Sequence, residues 1–222
     1  MTLIRIGGVA ALICAATYLV GFVLLMTLLA PLGYGTTDID ASAVLGFNAV
    51  RPGVLTAWNS TIYVLNALAL IVLVVALSEW LASQTPGWAS VTREIGLVWA
   101  ALVLGAGMIA NVALVRAAHL HAADPAAAEV LWTTLHAVEL GLGGGNEIAG
   151  AVWIGCVSLA GRVGESLGRL VIYLGLLTGL GGLLTVVPAF GDAAGAVFGL
   201  GAIAWFLAIG FQLFGARESK GI

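Results

Sequence analysis

WTTLHAVELGLGGGNEIAGAVWIGCVS, residues 132–158, is the stretch on which the reading of this chain turns. It is long and apolar enough to cross a bilayer, since about 20 apolar residues span roughly 30 Å of hydrocarbon. Yet it carries His136, Glu139, Asn146 and Glu147, threaded through Gly141, Gly143, Gly144 and Gly145. An ionisable side chain at the centre of a membrane helix costs about 2.5–3.5 kcal/mol, so such groups face a protein interior or a water-filled cavity. Two carboxylates, an imidazole and an amide on one span mark a working site.

The surrounding composition settles the class. Of the 222 residues, 61% are hydrophobic and only 9% charged, whereas soluble domains carry about 25% charged residues. The chain is expected to be all-α: a polytopic membrane bundle of six transmembrane helices in one domain, residues 1–222. The spans fall at about 6–30, 54–82, 94–118, 130–158, 168–188 and 195–215. The first is too long for a signal-peptide core and, in a chain starting at Met1, is expected to stay as a helix. Pro31 and Gly33 close it, Arg51-Pro52-Gly53 precedes the second span, and Thr85-Pro86-Gly87 follows it. Asp124-Pro125 is a helix start, with Asp as N-cap and Pro at the first helical position.

Charge asymmetry orients these spans. Arg5, Arg93, Arg162, Arg169, Arg217 and Lys220, six of the eight basic residues, share the side that holds both termini. The positive-inside rule therefore places both termini in the cytoplasm. Asp38, Asp40, Asp124, Glu129 and Asp192 collect outside, with Trp58 and Trp132 near the outer interface and Trp80 and Trp88 near the inner one. The long first outer loop, 31–53, is either a floppy connector or a segment lying on the bundle, because 43–50 is apolar. The net charge of −3 and the absence of a basic run exclude nucleic acid as a partner. Cys14 and Cys156 fall inside spans and read as small packing residues.

On an unbroken helix, at about 100° and 1.5 Å per residue, His136, Glu139, Gly143, Asn146, Glu147 and Gly150 share an arc of about 100°. Glu139 then lies roughly 10 Å and Glu147 roughly 22 Å below Trp132. A carboxyl near the midplane is costly to charge, so it can carry a proton or bind a cation. The glycines allow two structures: a helix that unwinds to expose backbone, or a close-packed seam such as Gly141-xxx-Gly145.

Further polar groups are candidates for satisfying Glu147 or Glu139 across the bundle, or for plain interhelical hydrogen bonds. Asn59, Tyr63 and Asn66 recur at helical spacing on the second span, and Asn111 lies on the third. His119, His121, His136 and Glu139 offer ligands for a divalent metal near the outer face, although no HExxH or paired CxxC accompanies them. The lone Lys220 excludes an intramembrane Schiff base. No arginine-rich voltage sensor, TVGYG filter, GxxxxGK[ST] loop or GxSxG elbow is present.

Arg5-Ile6-Gly7-Gly8, Leu167-Gly168-Arg169 leading to Tyr173-Leu174-Gly175, and Gly179-Leu180-Gly181-Gly182 resemble a family of small six-helix bacterial membrane proteins of unknown function. The resemblance implies a bacterial inner-membrane location and supplies no activity or site. The residues themselves point to a protein that binds and translocates a proton, cation or small polar solute. Glu147 would be the midplane site, Asn146 its orienting partner, and Glu139 with His136 the outer relay. Two alternatives stay open: a membrane-embedded metal-dependent enzyme, and a non-catalytic subunit of a homo-oligomer or membrane complex.

Overall fold

The computed structural model describes residues 2–36, 39–144 and 147–215. Among them every regular element is helical. Four helices are long and apolar enough to cross a membrane: Leu3–Leu32, Val54–Ala82, Pro86–His121 and Ala193–Gly215. Asn146, Arg217 and Lys220 lie outside the described residues.

In chain order the α-helices are α1 (Leu3–Leu24), α2 (Ala41–Val50), α3 (Val54–Asn59), α4 (Asn66–Ala82), α5 (Pro86–His121), α6 (Pro125–Glu139), α7 (Ile148–Val163), α8 (Arg169–Leu184) and α9 (Gly191–Gly215). π-Helical turns follow α1 (Leu25–Leu29), join α3 to α4 (Ser60–Leu65) and extend α6 (Leu140–Gly144). α5 starts at Pro86, well before the expected 94. Proline is at ease at the first helical position, where its missing N–H has no partner to lose. The span expected at 130–158 is not one helix. It breaks after α6, with Gly143 at φ 153°, and resumes at α7. A Cβ added at Gly141 or Gly143 would meet nothing within 4 Å, so these two glycines form no seam. The unwinding alternative is the one adopted, and the arc and depths counted along an unbroken helix do not extend past Gly143.

The chain divides into two compact units. One comprises Met1–Ala16, Leu68–Ala101 and Asn146–Ile222. Its core is aromatic: Trp99 lies 5.5 Å from Trp153 and stacks at 6.4 Å on Phe206, while Trp153 meets Trp205 edge-on at 5.4 Å. Here glycine does serve close packing. α8 lies against both α7 and α9, and a Cβ on Gly182 would collide with Phe198 and Ala151. The opposite face of α8 presents Leu170, Tyr173, Leu177 and Leu180, all more than half exposed. A helix apolar on its bare face as well as its packed one is suited to lipid. Gly150 of α7 sits so that a Cβ would come 2.7 Å from the Trp99 ring. Gly150→Ala is therefore expected to cost about 1–3 kcal/mol by overpacking. Gly155→Ala, with open space around it, is expected to be neutral or to gain up to about 1 kcal/mol from helix propensity. Thermal unfolding of the two variants in detergent checks the contrast.

The other unit comprises Thr17–Ala67 and Leu102–Gly145. Leu29, Val44, Leu45, Leu55, Trp58, Leu114 and Trp132 are among the residues of its core. In the described parts of the 31–53 segment, residues 31–36 and 39–53, the chain is ordered against the unit and not a floppy connector. Gly33 at φ 84° closes the first helical run, Asp40 caps α2 by accepting from the Ala43 N–H at 2.9 Å, and Val44 and Leu45 are buried. α2 packs on α6. As expected, Asp124 caps α6, accepting from the Ala127 N–H at 3.0 Å, and Pro125 occupies its first turn.

Candidate functional site

α6 sets three side chains on one face through spacings of four and three: Trp132, His136 and Glu139. Trp132 and Glu139 are buried. The Trp132 and His136 rings stack 4.8 Å apart, 14° from parallel, which fixes the imidazole plane. His136 Nδ1 then lies 2.7 Å from Glu139 Oε2. Glu139 is held at that position by its partners. The second is Tyr63, on the π-helical turn Ser60–Leu65, whose hydroxyl donates to Glu139 Oε1 at 2.7 Å. Both carboxyl oxygens are thus engaged, from two different elements.

Beside this cluster lies a small cavity. Measured to the centre of a water-sized sphere it holds about 10 Å³, room for a single water molecule. Tyr34, Asn59, His136 and Glu139 supply its polar lining, and Ala110, Ala113 and Leu114 of α5 its apolar lining. Asn59 is only 4% exposed and turns toward this cavity. Tyr34 meets His136 edge-on at 6.3 Å and Trp58 at 5.2 Å. Burial, and then the charge of Glu139, push the Tyr34 phenol well above its usual range. It therefore stays a neutral hydroxyl able to donate and to accept.

Asn66 and Asn111, in the same unit, bond to residues outside this cluster. Asn66 was grouped with Asn59 and Tyr63 by helical spacing, but the π-helical turn between them shifts the register. Its amide instead donates to Thr17 Oγ1 at 2.7 Å, a buried bond within the unit. Asn111 Nδ2 donates to Ser60 Oγ at 3.1 Å, leaving its Oδ1 buried without a partner among the described residues. Glu147 belongs to the other unit. It occupies the N-cap position of α7, where its backbone N–H donates to Thr185 Oγ1 at 3.2 Å.

The expected metal set is not assembled. Among the described residues no group of three or more His, Cys, Asp or Glu side chains stands close enough to hold an ion. His119 and His121 belong to the last turn of α5. Two positions apart on a helix they diverge by about 200°, so the pair that a strand would align cannot chelate. Only His136 and Glu139 of that set meet.

Sequence reasoning passed over two members of the cluster. Trp132 was read as an interface anchor, although its spacing from His136 and Glu139 carried the signal. Tyr34, in a turn far from α6 in sequence, carried none. Compared with known proteins, the chain matches no family profile, no curated protein and no solved structure.

Proposed function

We propose that this chain is a multi-pass membrane protein that conducts protons across the bilayer by way of Glu139. The observation that carries the reading is the buried carboxyl bonded to Tyr63 and His136 beside a cavity for one water. A proton needs only a chain of groups that both give and accept, and imidazole, carboxyl, phenol and water are such groups. With Nδ1–H donated to Glu139, a proton arriving at His136 Nε2 releases the Nδ1 proton to the carboxylate. The carboxyl then hands it to the cavity water and on to the Tyr34 hydroxyl, while Asn59 lines the cavity and can orient the water. A small organic solute exceeds the cavity. A metal cation would require several oxygen ligands in place of its hydration shell, and the one carboxylate here already serves two partners.

The same reading places the protein in a bacterial inner membrane with six passes and both termini in the cytoplasm. The basic residues gathered on one side and the bare apolar face of α8 support this. The break between α6 and α7 lies within the fourth pass, where irregular backbone is tolerated only when it is buried in protein or lines a cavity. The bilayer is its principal partner, and assembly with further copies or another subunit is compatible with this arrangement.

Reconstitution into liposomes with an entrapped pH indicator tests the proposal. Under an imposed potassium diffusion potential, vesicles carrying the protein are expected to acidify or alkalinise faster than empty ones, in the direction set by the potential. The rate should be unaffected by exchanging sodium for choline. Equal rates with and without protein, or a current carried by sodium, would reject proton conduction.

A further inference from the structure

A second cavity lies in the other unit, where the turn between α7 and α8 meets α9. It is about 400 Å³ and is lined by Arg162, Glu165, Leu167, Arg169, Ile172 and Tyr173. That size falls within the range of small-ligand sites, about 300–1,000 Å³. Arg162 and Arg169 are exposed, and among the described residues neither has an ion-pair partner. Glu165 lines the same cavity without pairing with either, so the lining keeps a net positive charge. Leu167 and Ile172 are buried and give it an apolar floor.

The turn is held rigidly. The Ser166 carbonyl accepts from Trp80 Nε1 and from Gln212 Nε2, both at 3.1 Å, and the Gly168 N–H donates to Gln212 Oε1 at 2.9 Å. Three bonds from α4 and α9 therefore fix the backbone between the two arginines. From Tyr173 the exposed stripe of α8 continues through Leu177 and Leu180. A cavity that is cationic at one end and runs on into a bare apolar helix face matches a molecule with an anionic head and a hydrocarbon tail.

We propose that this cavity binds the phosphate of an anionic phospholipid, with an acyl chain laid along Tyr173, Leu177 and Leu180. The guanidinium pair supplies planar donors suited to phosphate oxygens, and basic pockets between membrane helices recognise anionic headgroups in this way. The assignment rests on the chain lying in a bilayer and is independent of proton conduction.

Native mass spectrometry of the full chain, released from detergent with phosphatidylglycerol or phosphatidylcholine, tests it. Wild type is expected to retain one phosphatidylglycerol in preference to phosphatidylcholine. Arg162→Gln or Arg169→Gln should weaken retention about fivefold each, and the pair about thirtyfold. Glu165→Gln should strengthen retention about fivefold, a gain that a damaged fold cannot give. Leu177→Ala should weaken it about threefold. Equal retention of the two lipids, or no change in the double arginine variant, overturns the proposal while leaving the membrane reading intact. If inorganic phosphate competes fully and Leu177→Ala has no effect, the cavity is a soluble-anion site and the lipid assignment fails. Release of the wild-type chain from membranes by alkaline carbonate would overturn the membrane reading itself.

Discussion

Glu139→Gln is expected to stop proton passage while leaving the fold close to wild-type stability; Glu139→Ala is expected to damage both. The difference follows from which bonds each replacement keeps. A glutamine carbonyl still accepts from the Tyr63 hydroxyl in place of Oε1, and its NH₂ faces His136 Nδ1 in place of Oε2. The imidazole then takes the tautomer with the proton on Nε2, so both bonds to the residue at position 139 are kept. What glutamine cannot do is accept and release a proton. Alanine instead takes the carboxyl away from the half-buried Tyr63 hydroxyl and His136 Nδ1, at up to about 1–3 kcal/mol for each. Melting in detergent should fall by several degrees for Glu139→Ala and hardly at all for Glu139→Gln. A Glu139→Gln variant that melts as early as Glu139→Ala would mean that the carboxyl's charge, and not its hydrogen bonding, holds the cluster.

Gly143→Ala should be markedly more harmful than Gly141→Ala, although the two glycines stand two residues apart. At φ 153° Gly143 occupies backbone space that a side chain rarely enters. Forcing alanine there costs about 1–3 kcal/mol, or drives the chain towards a continuous helix and displaces the π-helical turn that begins next to Glu139. Either outcome should reduce proton flux together with stability. Gly141 has a helical-sign φ and open space about its Cβ, so alanine there should be neutral or gain up to about 1 kcal/mol. A close-packed glycine seam would give the opposite order, because Gly141 would then be the residue with a neighbour to strike. Thermal unfolding and vesicle flux on the two variants decide between these.

Much of the helical layout was legible because punctuation in this sequence is chemical. Asp124-Pro125 starts α6 and Gly33 ends the first helical run, each through a backbone requirement that the residue type satisfies, whereas Pro86, expected only as a break, itself starts α5. Glu139, His136 and Tyr63 were likewise visible as polar groups in apolar surroundings. The bond between His136 and Glu139 was legible too, from their spacing of three, but the Tyr63 bond to Glu139 was not. Tyr63 lies on the π-helical turn Ser60–Leu65, which a wheel drawn at a constant 100° per residue does not contain. Of the two readings open for Asn66, the interhelical hydrogen bond is the one found, to Thr17. His119 and His121 suggested a metal because HxH is a ligand pair on an extended chain. In the final turn of α5 the spacing has no such meaning. Tyr34 reaches His136 only through tertiary folding of the 31–53 segment, for which local sequence gives no rule.

Proton flux into vesicles carrying Glu139→Gln, beside wild type at the same protein density and the same imposed potential, is the most direct test of the central claim. The account predicts wild-type flux well above that of empty vesicles, and Glu139→Gln indistinguishable from empty ones. Undiminished flux through Glu139→Gln would contradict it, since the proton would then be crossing without the carboxyl on which the proposal stands.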